Sequence, residues 1–330
     1  MRLLIADSVF SAGNRLELRA LLQLSLARRC YMDVIAKTSV SYQEWLLELT
    51  DAERTAWTLV SEYSARDMAV HRIQDVVVAG NAVSEWDRST PRISVTDALR
   101  LISIPARILV ENSVNDRAFI LAMLPETTRR YFEWLEANDL IEFSHTGGVT
   151  ELKNIVDKVV ALKHHRRIRY FAIFDSDSPA PGVRHRNSER AVKSCERAQI
   201  PYHCLQRRAI ENYLPKDALY YYANSVPAKA AAIRRRKMDA FYRLTPMQRC
   251  HFRMKSGFSI APPQEEVALY AGLKEEVRRT LEGGIGADIA DLYHDARDGR
   301  LRLHIEREGN DVELRAPIAA LLALVRVPYA

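Results

Sequence analysis

From residue 105 onward the chain alternates short apolar runs with helical stretches, and that alternation leaves few architectures open to it. The runs are "ARILVE" (106–111), "LIEFSH" (140–145), "IRYFAIFD" (168–175) and "YHCLQ" (202–206). Between them, residues 116–137 read as a helix broken near Pro125. "TGGVTELKNIVDKVVAL" (146–162) reads as a Gly-Gly turn and then a helix, and "SERAVKSCERAQ" (188–199) as another helix. Leu152, Ile155, Val156 and Val159 fall on one face of the second of these. Strands apolar along their length and separated by helices predict a parallel sheet covered on both faces. The expected fold class is α/β: a mostly parallel sheet flanked by helices, with mainly helical N- and C-terminal regions.

The flanks carry weaker signals. Residues 1–104 read as a mixed, mostly helical region. It has helical apolar spacing in "RLELRALLQLSL" (15–26), a capping box in "TDAE" (50–53), one short strand in "IQDVVVAG" (73–80) and a helix start in "SVTD" (94–97). Residues 105–215 form the sheet domain and 216–330 a mainly helical C-terminal region. In the latter, residues 264–284 read as one amphipathic helix, "RLRLHIEREGNDVELR" (300–315) as a small hairpin and "APIAALLALVRV" (316–327) as a final helix docked on the core.

With 330 residues, 48% of them apolar, the chain is long enough for more than one domain and ordinary in composition. No apolar run approaches the roughly 20 residues that span a bilayer, and "MRLLIADSVF" turns acidic too soon for a signal peptide. A soluble, cytoplasmic protein with no membrane partner is expected. Cys30, Cys195, Cys204 and Cys250 show no CxxC spacing, which argues against a disulfide framework and a zinc site. The net charge of +6 is uneven: residues 161–260 hold 21 Lys and Arg against 7 Asp and Glu, a net of +14, leaving −8 elsewhere. A basic block on a near-neutral background points to a polyanion, nucleic acid above all.

Inside that block the run "RYFAIFDSDSP" (169–179) ends a buried strand in Asp175 and Asp177, and the strand at 106 ends in Glu111. Ligands of open parallel sheets bind outside the carboxyl ends of the strands. If these strands are neighbours, three carboxylates converge, and a divalent cation removes their repulsion. Oxygen-only donors favour Mg²⁺ or Mn²⁺. A DxD pair alone also occurs in haloacid-dehalogenase phosphatases and glycosyltransferases, and a lone acid at a strand end commonly caps a helix or turn.

The order strand-end Glu111, Gly147-Gly148, then Asp175 and Asp177 resembles the TOPRIM domain of topoisomerases, primases and a set of nucleases. "ILVENSVNDRAF" (108–119) is similar to its first motif and "FDSDS" (174–178) to its DxD motif. "LQRRAIENYLP" (205–215) and the "TGGVTELKNIV" turn resemble the nucleases of the overcoming-lysogenization-defect (OLD) family. The resemblance covers residues 105–215, about a third of the chain. It implies a TOPRIM-like catalytic domain with two ions, Mg²⁺ or Mn²⁺. Glu111, Asp175 and Asp177 would hold one of them, and Asp116 and Glu211 would help hold the second. Two metals serve phosphodiester hydrolysis by activating the water and stabilising the leaving oxygen. The catalytic basic residue such nucleases use is left among Arg207, Arg208 and Lys216.

OLD proteins proper carry an ATPase with a GxxxxGK(S/T) loop, which this chain lacks. The resemblance therefore implies a stand-alone effector or a separate ATPase subunit, with a homo-oligomer also open. It further implies a role in defence against phage. The Gly147-Gly148 turn and the following helix N-terminus are expected to approach a phosphate. Arg166, Arg167, Arg184, Arg186, Arg234, Arg235, Arg236 and Lys237 are expected to contact a DNA or RNA backbone. Tyr220, Tyr221, Tyr222 and Tyr242 can stack on bases or fill the core, and His164 and His165 read as a solvated face. The rival readings are a non-catalytic nucleic-acid-binding or sensor subunit, another TOPRIM chemistry such as that of a topoisomerase or primase, and a small-ester phosphohydrolase.

Overall fold

The structure, a computed structural model, describes residues 1–69, 71, 73–80, 83–161 and 166–329. The side chains of 12, 161, 166 and 295–298 lie outside that description. It contains two four-stranded sheets, each parallel throughout. The first is ordered β2-β1-β3-β4 and is built from β1 (Arg2–Ile5), β2 (Tyr31–Val34), β3 (Asp75–Ala79) and β4 (Arg92–Ser94). The second is ordered β6-β5-β7-β8, from β5 (Ala106–Val110), β6 (Ile141–His145), β7 (Tyr170–Phe174) and β8 (Tyr202–Cys204). No helix among the described residues is long and apolar enough to cross a membrane.

The first sheet adds to the expectation for residues 1–104, where only the strand at 73–80 was legible. β1, β2 and β4 are three or four residues long, too short for a period-2 pattern to stand out. The helices were legible: Arg15–Leu26, then Asp51–Met68 behind the reciprocal Thr50–Glu53 capping box, then Val95–Ser103 capped by Ser94. Two other expectations are corrected. The stretch 300–315 is no hairpin but a helix, Arg300–Arg307, followed by a 3-10 turn, Val312–Leu314. Its apolar residues alternate in sequence, yet Leu301 and Ile305, one helical turn apart, are buried while Leu303 is exposed. The stretch 264–284 is two helices, Gln264–Leu269 and Glu275–Leu281, separated where Tyr270 turns into the core.

The second sheet is covered on both faces. Ile108, Val110, Phe171 and Ile173 face a core shared with helices Asn115–Ala122 and Glu126–Ala137 and with much of residues 205–327. The alternate residues Leu109, Tyr170, Ala172 and Phe174 face helices Val149–Ala161 and Arg186–Ala198. This period-2 division decides where side chains at the strand ends go. The C-terminal helices share one continuous core with the sheet.

The short helix Arg166–Arg169 joins the two sheets. Its Ile168 is buried in the core of the first sheet, Arg167 donates to the carbonyls of Trp86 and Arg88, and Arg169 to that of Ile104. β7, which carries the DxD pair, begins at the next residue. Ile168→Ala should therefore destabilise the protein by about 2–5 kcal/mol, the range for truncating a buried isoleucine, measured by urea unfolding.

Candidate functional site

In the second sheet the chain passes from β5 outward to β6, then returns to place β7 on the other side of β5. The strand order reverses between β5 and β7, where an open parallel sheet leaves a crevice at its carboxyl edge. Glu111 follows β5 and Asp175 follows β7. The Asp175 N–H donates to Glu111 Oε1 at 2.9 Å, and the Val149 N–H, the first of its helix, also donates to that carboxylate. The two acids leave the sheet in opposite directions. Glu111 continues the Leu109 side, toward helix Val149–Ala161. Asp175 continues the Phe171 and Ile173 side, where its Oδ1 accepts the Ile210 N–H at 3.1 Å.

Three more acids gather around this pair. Asp116 sits in the first turn of helix Asn115–Ala122 and accepts the Asn112 N–H at 2.9 Å. The Asn112 side chain in turn accepts from Val114 and Asn115, an Asx turn that fixes the helix start. Asp177 lies in the left-handed region at φ 49°, and its N–H donates to the Arg208 carbonyl. Glu211 belongs to the 3-10 turn Ile210–Tyr213 and is 2% exposed.

Burial and mutual repulsion act on these groups together. Burial first, then the charges of Asp116 and Asp177, raises Glu111 to about 7 against the pull of its N–H donors. Burial and the Glu211 charge raise Asp116 to about 6. Asp175 is raised well above the carboxylate range by burial and by Glu111, Glu211, Asp116 and Asp177. Among the described residues no three His, Cys, Asp or Glu side chains form a ready-made ion cage; Glu111 and Asp175 spend acceptors on backbone N–H groups instead. The donor set, all carboxylate oxygen, nonetheless fits a hard divalent cation and no soft one.

The segment 205–215 turns out to be a latch between the DxD loop and the C-terminal region. Ser176 Oγ donates to the Arg207 carbonyl at 2.7 Å, the Arg208 N–H to Cys250 at 2.9 Å, and Asn212 Nδ2 to the carbonyls of Arg249 and Phe252. The two arginines serve the latch. The Arg207 guanidinium lies over the Tyr213 ring and bonds Asn212 and Asn310. Arg208 is buried against His251 and Glu266, although it also borders the acidic cleft. Lys216 stands over the rings of Tyr220 and Tyr242, with its N–H on Glu308, and does not line that cleft.

Lys255, a residue sequence reasoning did not single out, also faces the acids. Asp175, Asp177, Glu211, Lys255, Arg208 and His185 line a cleft of about 310 Å³. Lys255 Nζ is 2.6 Å from Glu211 Oε1. Burial works to lower the Lys255 pKa, but the charges of Glu211, Asp175 and Asp116 outweigh it and raise the group. The sequence around it, "HFRMK" (251–255), holds two cations near an aromatic but no spacing that singles out the lysine.

Other residues expected to meet a phosphate backbone either have partners within the protein or lie exposed. Gly147 (φ 81°) and Gly148 (φ 114°) hold the turn in a backbone region that favours glycine, with open space where a Cβ would lie. The N–H after them is spent on Glu111. Arg167 binds the carbonyls of Trp86 and Arg88. Arg234 stacks on Tyr222 and pairs with Asp288, and Lys237 donates to Gly284. Arg184, Arg186, Arg235 and Arg236 are exposed. Tyr222 is buried, Tyr242 and Tyr220 stack on each other, and Tyr221 alone of the four is largely exposed. His164, His165 and the Arg166 side chain lie outside the described residues. The four cysteines are free. Compared with models of protein families, with curated proteins and with solved structures, the chain matches none.

Because native Glu111 holds a proton that the unfolded chain releases near 4.5, the folded state binds more protons between about 4.5 and about 7. Metal-free protein should lose stability as pH rises through that window, by up to about 1.4 kcal/mol per unit from this group. Thermal unfolding in EDTA should show a shallower decline for Glu111→Gln, whose side chain cannot ionise; an identical slope would contradict the assignment.

Proposed function

We propose that the chain is a divalent-metal-dependent nuclease of the TOPRIM kind, hydrolysing phosphodiester bonds of DNA or RNA. The observation that carries this reading is the meeting of Glu111 and Asp175 through one 2.9 Å hydrogen bond at the strand-order reversal, with Asp177 and Glu211 beside them. Glu111, Asp175 and Asp177 would hold Mg²⁺ or Mn²⁺. An ion there supplies a more acidic bound water and a Lewis acid for phosphoryl oxygens.

The chain's own groups supply the rest. N–H donors from Asp175, Val149 and Ile210 aim the carboxylates, leaving their remaining oxygens for the ion. Lys255 brings a fixed positive charge to the place where negative charge grows on the pentavalent phosphorus. The exposed arginines 184, 186, 235 and 236 are suited to phosphate contacts without sequence choice. A separate activating subunit and a part in phage defence remain within this proposal as its biological setting.

Incubation with plasmid DNA and with tRNA in Mg²⁺ or Mn²⁺ tests it. Wild type should cleave at least one, EDTA should stop it, and Asp175→Ala should lose about 10²-fold or more, on the scale of removing a transition-state stabilising group. Asp177→Asn is a sharper variant, because asparagine tolerates the left-handed turn and loses only the charge; it should fall comparably. Equal cleavage by wild type and Asp175→Ala would remove the site. Binding that persists in EDTA, with no ion supporting cleavage, would favour a non-catalytic binding subunit.

A further inference from the structure

The cluster divides into a part with a cation already in it and a part without one. Glu211 is 2% exposed, and the ammonium of Lys255 lies 2.6 Å from its Oε1. Asp116 and Asp175 are the next carboxylates to feel that ammonium. Glu111 is instead acted on by Asp116 and Asp177, with only N–H groups opposing them. The two positions read from the resemblance as ion sites are thus unequal. Among the described residues, one, at Glu111, Asp175 and Asp177, has no side-chain cation bonded to it; the other, at Asp116 and Glu211, already holds one ammonium against its two carboxylates.

The turn that carries Lys255 is held in place by its backbone. The Met254 carbonyl accepts the Ile285 N–H at 2.7 Å, and the Gly257 N–H donates to the Arg253 carbonyl at 2.8 Å. Gly284, at φ 66°, passes so close to this turn that a Cβ there would sit 2.6 Å from the Lys255 carbonyl carbon. Only a glycine lets the two backbones approach this far, so the turn presenting Lys255 is pinned against residues 281–286. An ammonium paired with a buried carboxylate occupies space and supplies charge that a metal would otherwise bring. The Lys255 side chain is half exposed, so it can leave without the turn moving, but leaving with no ion in its place would strand a buried acid, which is costly.

We propose that the Lys255 ammonium stands in for the second cation, so that the site takes one divalent ion per chain, at Glu111, Asp175 and Asp177, and not two. This rests on the metal-dependent reading above and changes its stoichiometry. It assigns Lys255 the charge-neutralising part that a second metal plays elsewhere, without the ion-concentration dependence a second site would bring.

Equilibrium dialysis of the full chain against Mn²⁺ alone, with bound ion counted by electron paramagnetic resonance, tests it. Wild type should bind one Mn²⁺ that Asp175→Asn loses. Lys255→Met, similar in length and without charge, should bind two, and adding Glu211→Gln to it should return the count to one. Two ions on wild type would overturn this inference while leaving the metal-dependent reading intact. A count of one in folded Lys255→Met would overturn it as well, because the lysine would then not be what excludes the second ion. No site lost in Asp175→Asn would overturn both readings. A wild-type count of two overturns it whether or not a variant folds, and Lys255→Gln, which should likewise bind two, serves if Lys255→Met does not fold.

Discussion

The hydrogen bond from the Asp175 N–H to the Glu111 carboxylate joins the ends of β5 and β7 at the one place where the strand order of the second sheet reverses. Around it the alternation of the strands sends Glu111 toward one layer of helices and Asp175 toward the other, so the acids are fed from both faces of the sheet. Each layer supplies N–H groups to its own acid, Val149 from one side and Ile210 from the other. Burial then works against the charges it has gathered, which is why Glu111, Asp116 and Asp175 all resist ionising in the absence of a cation.

Part of the basic block is spent inside the protein. Arg167, Arg169, Arg207, Arg208, Arg234 and Lys237 hold carbonyls, rings and acids inside the protein. The Arg207–Arg208 pair spends its hydrogen bonds tying the DxD loop to the C-terminal region. Arginine suits that task, since its planar fork bonds several acceptors at once and stacks on aromatic rings. Charge turned toward the acids comes also from a lysine on a turn some eighty residues beyond the DxD pair in the sequence.

What the sequence could reveal follows the range of the forces involved. Local signals were readable: the Thr50–Glu53 box, the Ser94 cap, the helix break at Pro125 and the four apolar strands of the second sheet all depend on residues close in sequence. So was the convergence of Glu111 with Asp175 and Asp177, because adjacent parallel strands dictate where their ends meet. β1, β2 and β4 escaped, since three or four residues carry no usable period. The helix at 300–307 was misread because its burial follows Leu301 and Ile305 and ignores the alternation around Leu303. Lys255 could not be found from sequence: its position depends on the close approach of Gly284 to its own backbone, a contact across separate segments that no local pattern encodes.

The most direct test of the whole account is anomalous diffraction at the manganese edge from crystals equilibrated with Mn²⁺. The account predicts an anomalous peak bounded by the carboxylates of Glu111, Asp175 and Asp177, with Lys255 still seated on Glu211. Manganese bound only at other places on the protein, with this notch holding none, would contradict it.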